Sequence, residues 1–167
     1  MKHRLFVLPA ALFMSFGTQL MHGDEKHEDI PQWVVQLFSA KKLDTKYDFA
    51  FALNPSYLSA DFNGDGKIDV AVLVKQRATG KLGIAVIHAV VNNVVILGAG
   101  TPIGNGGDDF AWMDSWQVYS KKRAADREGE MSGPRLRGDA LLVSKSEAAS
   151  ALIYWNGKRY VWLQQGD

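Results

Sequence analysis

The sequence predicts an α+β domain, a mainly antiparallel β-sheet of about six to seven strands with one N-terminal amphipathic helix packed on it. Three observations lead there. Apolar residues recur at helical spacing between Ile30 and Leu43, and from Asp69 onward the chain is punctuated by β-branched and aromatic runs. Two of those runs flank Asn156-Gly157, a pair that favours the positive φ of a tight hairpin turn.

The chain opens with a positive pair, Lys2 and Arg4, followed by the apolar run Leu5 to Phe16. That run falls short of the roughly 20 residues that span a bilayer. Small residues at Ser15 and Gly17 suit a cleavage point after Gly17, with Gly23 as a later candidate, so residues 1–17 read as a secretory signal peptide. Its removal takes away two of the 19 bases and none of the 18 acids, leaving one more acid than base. Such a chain is expected to be periplasmic or secreted, near neutral, and without a stable membrane span. Residues 18–29, including His22 and His27 at a spacing that matches no metal motif, read as a flexible leader. A single domain over 30–167 follows.

Within that domain, Ile30, Trp33, Val34, Leu37 and Phe38 lie on one helical face, with Pro31 in the first turn. Residues 44–58 are ambiguous apart from a turn at Asn54-Pro55. Asp69 to Lys75 is apolar on both faces, as a strand covered on both sides must be. Leu82 to Val91 is expected to form the next strand, turning at Asn92-Asn93 into Val94 to Leu97. Trp116 to Lys122 alternates weakly, Arg123 to Gly133 reads as a solvated loop, and Ala140 to Lys145 reads as a strand. Ala149 to Trp155 and Lys158 to Gln164 then make a hairpin in which a two-residue loop would set Trp155 opposite Lys158 and Ile153 opposite Tyr160.

Composition excludes several chemistries. The 167 residues contain no cysteine, which removes disulfides, thiolate metal sites and cysteine nucleophiles. A formal charge of +1 over the whole chain offers no basic face for nucleic acid. No GxSxG elbow and no phosphate-binding GxxxxGK[ST] loop occurs.

The specific chemical signal is Asp61-Phe62-Asn63-Gly64-Asp65-Gly66-Lys67-Ile68-Asp69. Side-chain oxygens stand at the first, third, fifth and ninth places, a glycine at the sixth permits a sharp bend, and Lys67 would contribute its backbone carbonyl. Hard oxygens without imidazole or thiolate select Ca²⁺ over zinc, copper or iron. Carboxylates so close repel one another unless a cation intervenes, so a bound ion would rigidify both the loop and the strand after it.

This stretch, DxNGDGxxD running into an apolar strand, resembles the calcium loop of FG-GAP/VCBS repeats. The resemblance implies Asp61, Asn63, Asp65 and Asp69 as side-chain ligands and Lys67 as a carbonyl ligand. EF-hand loops are similar but place a glutamate at the twelfth position, where Val72 stands, and continue as a helix, where Val70 to Val74 is β-like. The similarity covers about 15 residues, occurs once, and brings no activity with it. What remains of the chain looks like small secreted bacterial proteins bearing such a loop.

Weaker candidates lie elsewhere. Asp108, Asp109 and Asp114 offer acid and base groups for a secreted hydrolase, oxygens for a second ion, or caps for a helix on which Trp112 and Trp116 would share a face. His88 sits in an expected strand on the face of Ile84, Val86 and Val90 and reads as a packed or edge residue. Trp33, Trp112, Trp116, Trp155 and Trp162 would form a glycan-stacking surface if exposed together. The leading expectation is a calcium-binding module with a binding or envelope-structural role and an unknown protein or glycan partner; the hydrolase and the glycan binder are the alternatives.

Overall fold

The computed structural model describes residues 30–122 and 134–166. The expected signal peptide, the leader and the loop read at Arg123 to Gly133 lie outside the described residues. Among the described residues, helix α1 (Gln32–Ala40) precedes nine strands: β1 (Tyr47–Phe49), β2 (Tyr57–Ala60), β3 (Asp69–Gln76), β4 (Leu82–His88), β5 (Asn93–Gly98), β6 (Ser115–Tyr119), β7 (Ala140–Lys145), β8 (Ala149–Trp155) and β9 (Tyr160–Gly166). The α+β class stands, with all strand pairings antiparallel.

The strands form two sheets rather than the single sheet of six to seven expected. The first runs β1-β3-β4-β5, with β2 also paired to β3; the second is the meander β6-β7-β8-β9. A physical reason lies in the alternation. Ala71, Leu73, Ile84, Val86 and Leu97 of the first sheet and Trp116, Leu141, Val143, Ala151 and Ile153 of the second all point into one buried core. Folding one sheet over the other removes both apolar faces from water, which a single flat sheet would leave to be covered by something else.

The outer face of the first sheet carries Val70, Val72, Val74, Ala85 and Ile87, and α1 lays Val34 and Phe38 onto it. β3 is thus buried on both sides, which is why it reads as a continuous apolar run. The Pro31 carbonyl accepts the Val34 N–H at 2.8 Å to start α1, and Lys42 in the left-handed region follows its end. On the second sheet's outer face a smaller cluster gathers Leu136, Ala140 and Leu152.

One border of β3 is shared. Tyr47–Phe49 pairs with Gln76–Val74, Ala50 N–H continues onto the Leu73 carbonyl at 2.9 Å, and Tyr57 resumes the ladder opposite Val72. Residues 51–56 loop out between them, which explains why this region showed no clear periodicity.

Three local expectations are corrected. The terminal hairpin pairs Trp155 with Tyr160 and Ile153 with Trp162, so its loop has four residues, 156–159. The Asn156 side chain accepts the N–H groups of Lys158 (2.9 Å) and Arg159 (3.0 Å) and so props the turn open. The register moves by an even step, and every side chain keeps its face. Second, β4 ends at His88; residues 89–92 make the turn and leave Val90 and Val91 exposed. Third, Trp112 and Trp116 share no helix. Asp109 accepts the Leu82 N–H at 3.0 Å and the Ala111 N–H at 3.0 Å, Phe110 N–H bonds the Leu82 carbonyl at 2.8 Å, and Trp116 enters β6. Backbone partners on the neighbouring sheet replace the helical ones.

Candidate metal loop at the tip of the first hairpin

Ala60 pairs with Asp69, so residues 61–68 are the connection of the β2–β3 hairpin. The motif therefore sits at one end of the sandwich, anchored by strands on both sides. Its bends use glycines with positive φ, Gly64 at 80° and Gly66 at 82°. Phe62, fully buried, drives the loop's first residue pair onto the core.

The polar side chains turn inward onto the loop's own backbone. Asp61 accepts the N–H groups of Gly64 (2.7 Å), Asp65 (3.0 Å) and Gly66 (2.9 Å). Asn63 Oδ1 accepts the Asp65 N–H at 2.9 Å, and Asp65 Oδ1 accepts the Lys67 N–H at 2.9 Å. Each carboxylate has about four lone-pair sites, so these bonds shape the loop without exhausting its oxygens. Lys67 is exposed, leaving its ammonium in water. No group of three or more His, Asp or Glu side chains is gathered to hold an ion among the described residues.

Asp69 differs from the rest. It is fully buried on the inner face, one step beyond the Val70–Ile87 pair. Oδ1 accepts the Ala89 N–H at 3.1 Å, while Oδ2 has no hydrogen-bond partner. Burial pushes its pKa above the ordinary carboxylate value, and the nearby Asp65 charge pushes the same way; the Ala89 N–H, the neighbouring His88 and the Asn63 N–H act against them. A buried carboxylate oxygen without a hydrogen-bond partner costs roughly 1–3 kcal/mol or more, and it stands beside a loop lined with hard oxygens. The donor set fits Ca²⁺: three aspartates, one amide oxygen and the Lys67 carbonyl.

Sequence reasoning missed what stands behind Asp69. His88 Nδ1 lies 2.7 Å from Asn63 Nδ2 and 3.9 Å from Asp69 Oδ2, and its Nε2 lies 3.1 Å from the Tyr160 hydroxyl. Burial, with the Asp69 and Asp61 charges, drives the Tyr160 phenol far above its ordinary pKa, so it stays protonated. The reading of His88 as packed in a strand beside Ile84 and Val86 agrees with its 2% exposure. No local spacing announces a partner 25 residues earlier or 72 later.

The second sheet grips the loop. Asp139 N–H donates to the Asp61 carbonyl at 2.7 Å. A Cβ on Gly138 would lie 2.3 Å from the Asp61 carbonyl oxygen and 2.6 Å from the Gly64 nitrogen, and one on Gly64 would lie 2.6 Å from the Arg137 carbonyl oxygen. Two backbones approach so closely only because both lack side chains there.

The other candidates are dispersed into structural contacts. Asp108 pairs with Lys81, and Asp109 is bonded to backbone as described. Asp114 accepts the Ser146 N–H at 2.9 Å and its hydroxyl at 3.0 Å, with Lys145 Nζ at 3.1 Å. The Ser146 N–H first, then Lys145, hold the Asp114 carboxyl below its usual pKa. A hollow of about 500 Å³ by the β7–β8 turn is lined by residues 144–150, without Asp108 or Asp109. Trp116 is buried and donates to the Pro55 carbonyl at 2.8 Å; Trp112 and Trp162 meet edge to face at 6.0 Å, and Trp33 stands alone on α1 at 37% exposure.

Comparison with known proteins finds no matching family model, no matching curated protein and no matching solved structure. No helix among the described residues is long and apolar enough to cross a membrane.

Proposed function

We propose that this chain is an exported calcium-binding module in which the 61–69 loop takes up one Ca²⁺ and fixes the end of the sandwich for a binding or envelope-structural role. The observation that carries this reading is the Asp69 Oδ2 oxygen, buried and unpartnered at the ninth position of a DxNxDGxxD loop. Asp61, Asn63, Asp65 and Asp69 are the side-chain ligands and Lys67 supplies its carbonyl. The ion offsets the repulsion among three clustered carboxylates and satisfies the orphaned oxygen. Export rests on the pattern of residues 1–17, which places the protein in the periplasm or outside the cell, where millimolar calcium suits a loop lacking a bidentate glutamate.

Calorimetric titration of the mature chain with CaCl₂ tests it. The expected dissociation constant is about 10⁻⁴–10⁻³ M. At the tighter end, ion at about 100 times that constant stabilises the fold by about 2.7 kcal/mol, reversed by chelator. Asp61→Asn and Asp69→Asn should lose the heat. Absence of both heat and any melting shift at saturating calcium overturns the reading.

A further inference from the structure

His88 is the one histidine among the described residues, and its burial serves no core-packing need that leucine would not meet more cheaply. It closes β4 on the inner face, between the candidate loop and the second sheet. Both ring nitrogens are engaged. The Asn63 amide orientation is fixed independently: its oxygen faces the Asp65 N–H at 2.9 Å and its nitrogen faces Asp65 Oδ2 at 3.0 Å, so a flip would oppose like dipoles. An amide nitrogen only donates, so Nδ1 of His88 accepts from it and Nε2 is the nitrogen turned toward the Tyr160 oxygen.

The consequence falls on the loop. With the Asn63 amide nitrogen bonded to His88 and to Asp65 Oδ2, Oδ1 faces the loop backbone at the Asp65 N–H and keeps a lone pair for a cation. We propose that His88 is a positioning residue for the cation site, setting the Asn63 side chain, and that Tyr160 pins the imidazole tautomer from the facing sheet and so ties the site to the β8–β9 hairpin. This rests on the calcium reading of the loop. Groups that orient a metal ligand without touching the ion typically change metal affinity by about 10–100-fold when lost. A reporter is built in: the Trp155 ring meets the His88 ring edge-on at 5.7 Å and the Tyr160 ring at 5.2 Å. Settling of the imidazole when calcium binds should therefore register at the Trp155 indole.

The test is calcium titration of the mature chain by calorimetry, with Trp155 indole N–H shifts followed by NMR, for wild type, His88→Leu, His88→Asn and Tyr160→Phe. Wild type should bind with a Trp155 shift. Folded His88→Leu should weaken binding about 10–100-fold, whereas His88→Asn, which keeps an acceptor near the Nδ1 position, should recover to within about threefold of wild type. Tyr160→Phe, a loss of one hydroxyl that spares the packing if His88→Leu does not fold, should weaken binding several-fold and remove the Trp155 shift. Unchanged affinity in a folded His88→Leu, equal losses in the leucine and asparagine variants, or a wild-type response in Tyr160→Phe overturns the inference and leaves the calcium reading standing. Failure of wild type to bind calcium overturns both.

Discussion

Three glycine-to-alanine changes separate the two physical demands made on the loop. At Gly138 the backbone is not left-handed, so alanine costs nothing in φ, yet its Cβ would sit 2.3 Å from the Asp61 oxygen, 2.6 Å from the Gly64 nitrogen and 2.9 Å from the Phe62 carbonyl carbon. Ordinary contact begins near 3.4 Å. All three obstacles are backbone held by the β2–β3 hairpin, so none yields by a side-chain rotation. Overpacking of this kind costs about 1–3 kcal/mol, and the number of backbone clashes places Gly138→Ala at the upper end, about 2–3 kcal/mol. Gly66 is the converse: φ is +82° and nothing lies within 4 Å, so Gly66→Ala pays only for left-handed backbone, about 1–2 kcal/mol. Gly64 combines φ +80° with a Cβ 2.6 Å from the Arg137 oxygen, and Gly64→Ala should cost roughly 3–4 kcal/mol. Urea unfolding followed by tryptophan fluorescence, in chelator, gives the three values. The expected order is Gly64, Gly138, Gly66, with Gly138→Ala lowering the melting temperature by about 4–12 °C. If Gly138→Ala lies within about 0.5 kcal/mol of wild type, the grip of the second sheet on the loop is wrong.

Phe62→Ala should cost about 3–5 kcal/mol, because the ring is fully buried and links the loop to the inter-sheet core; equilibrium unfolding with an unchanged m-value checks it. Trp116→Phe should cost about 1 kcal/mol, since it strips the Pro55 carbonyl of its donor while keeping most of the packing, and a loss near zero would show that water replaces the indole. Asp114 has a folded pKa below its unfolded value of 3.8, so its contribution is present above that value and disappears as pH falls through the lower, folded one. Asp114→Asn should therefore flatten the fall of melting temperature below about pH 4, and an identical acid limb in the variant would refute it.

Much of the architecture was legible because burial leaves a local trace. A strand covered on both faces must be apolar throughout, and Asp69 to Lys75 is; a helix lying on a sheet needs one apolar stripe, which Ile30 to Phe38 supplies. Division into two sheets left no such trace, since Leu141 alternates in the same way whichever apolar surface receives it. Trp112 and Trp116 misled because their four-residue spacing satisfies a helix, while the deciding bonds run from Asp109 and Phe110 to Leu82, far off in the chain. The hairpin slipped by one pair because the Asn156 side chain widened a turn that its dipeptide alone would have kept tight. At the loop, the oxygen pattern was readable over nine consecutive residues. The imidazole behind it, the phenol from the other sheet and the glycine at 138 were not, because each acts through a contact that only folding creates.

The divided border of β3 has a consequence for how these molecules behave at high concentration. An exposed strand margin recruits other chains when it is long, flat and uninterrupted. Here that margin is built from strands of three and four residues with the seven residues 50–56 between them. An incoming strand would meet a broken row of amides and carbonyls and could not stay in step for more than a few bonds, so on that flank the protein is guarded against polymerising with copies of itself.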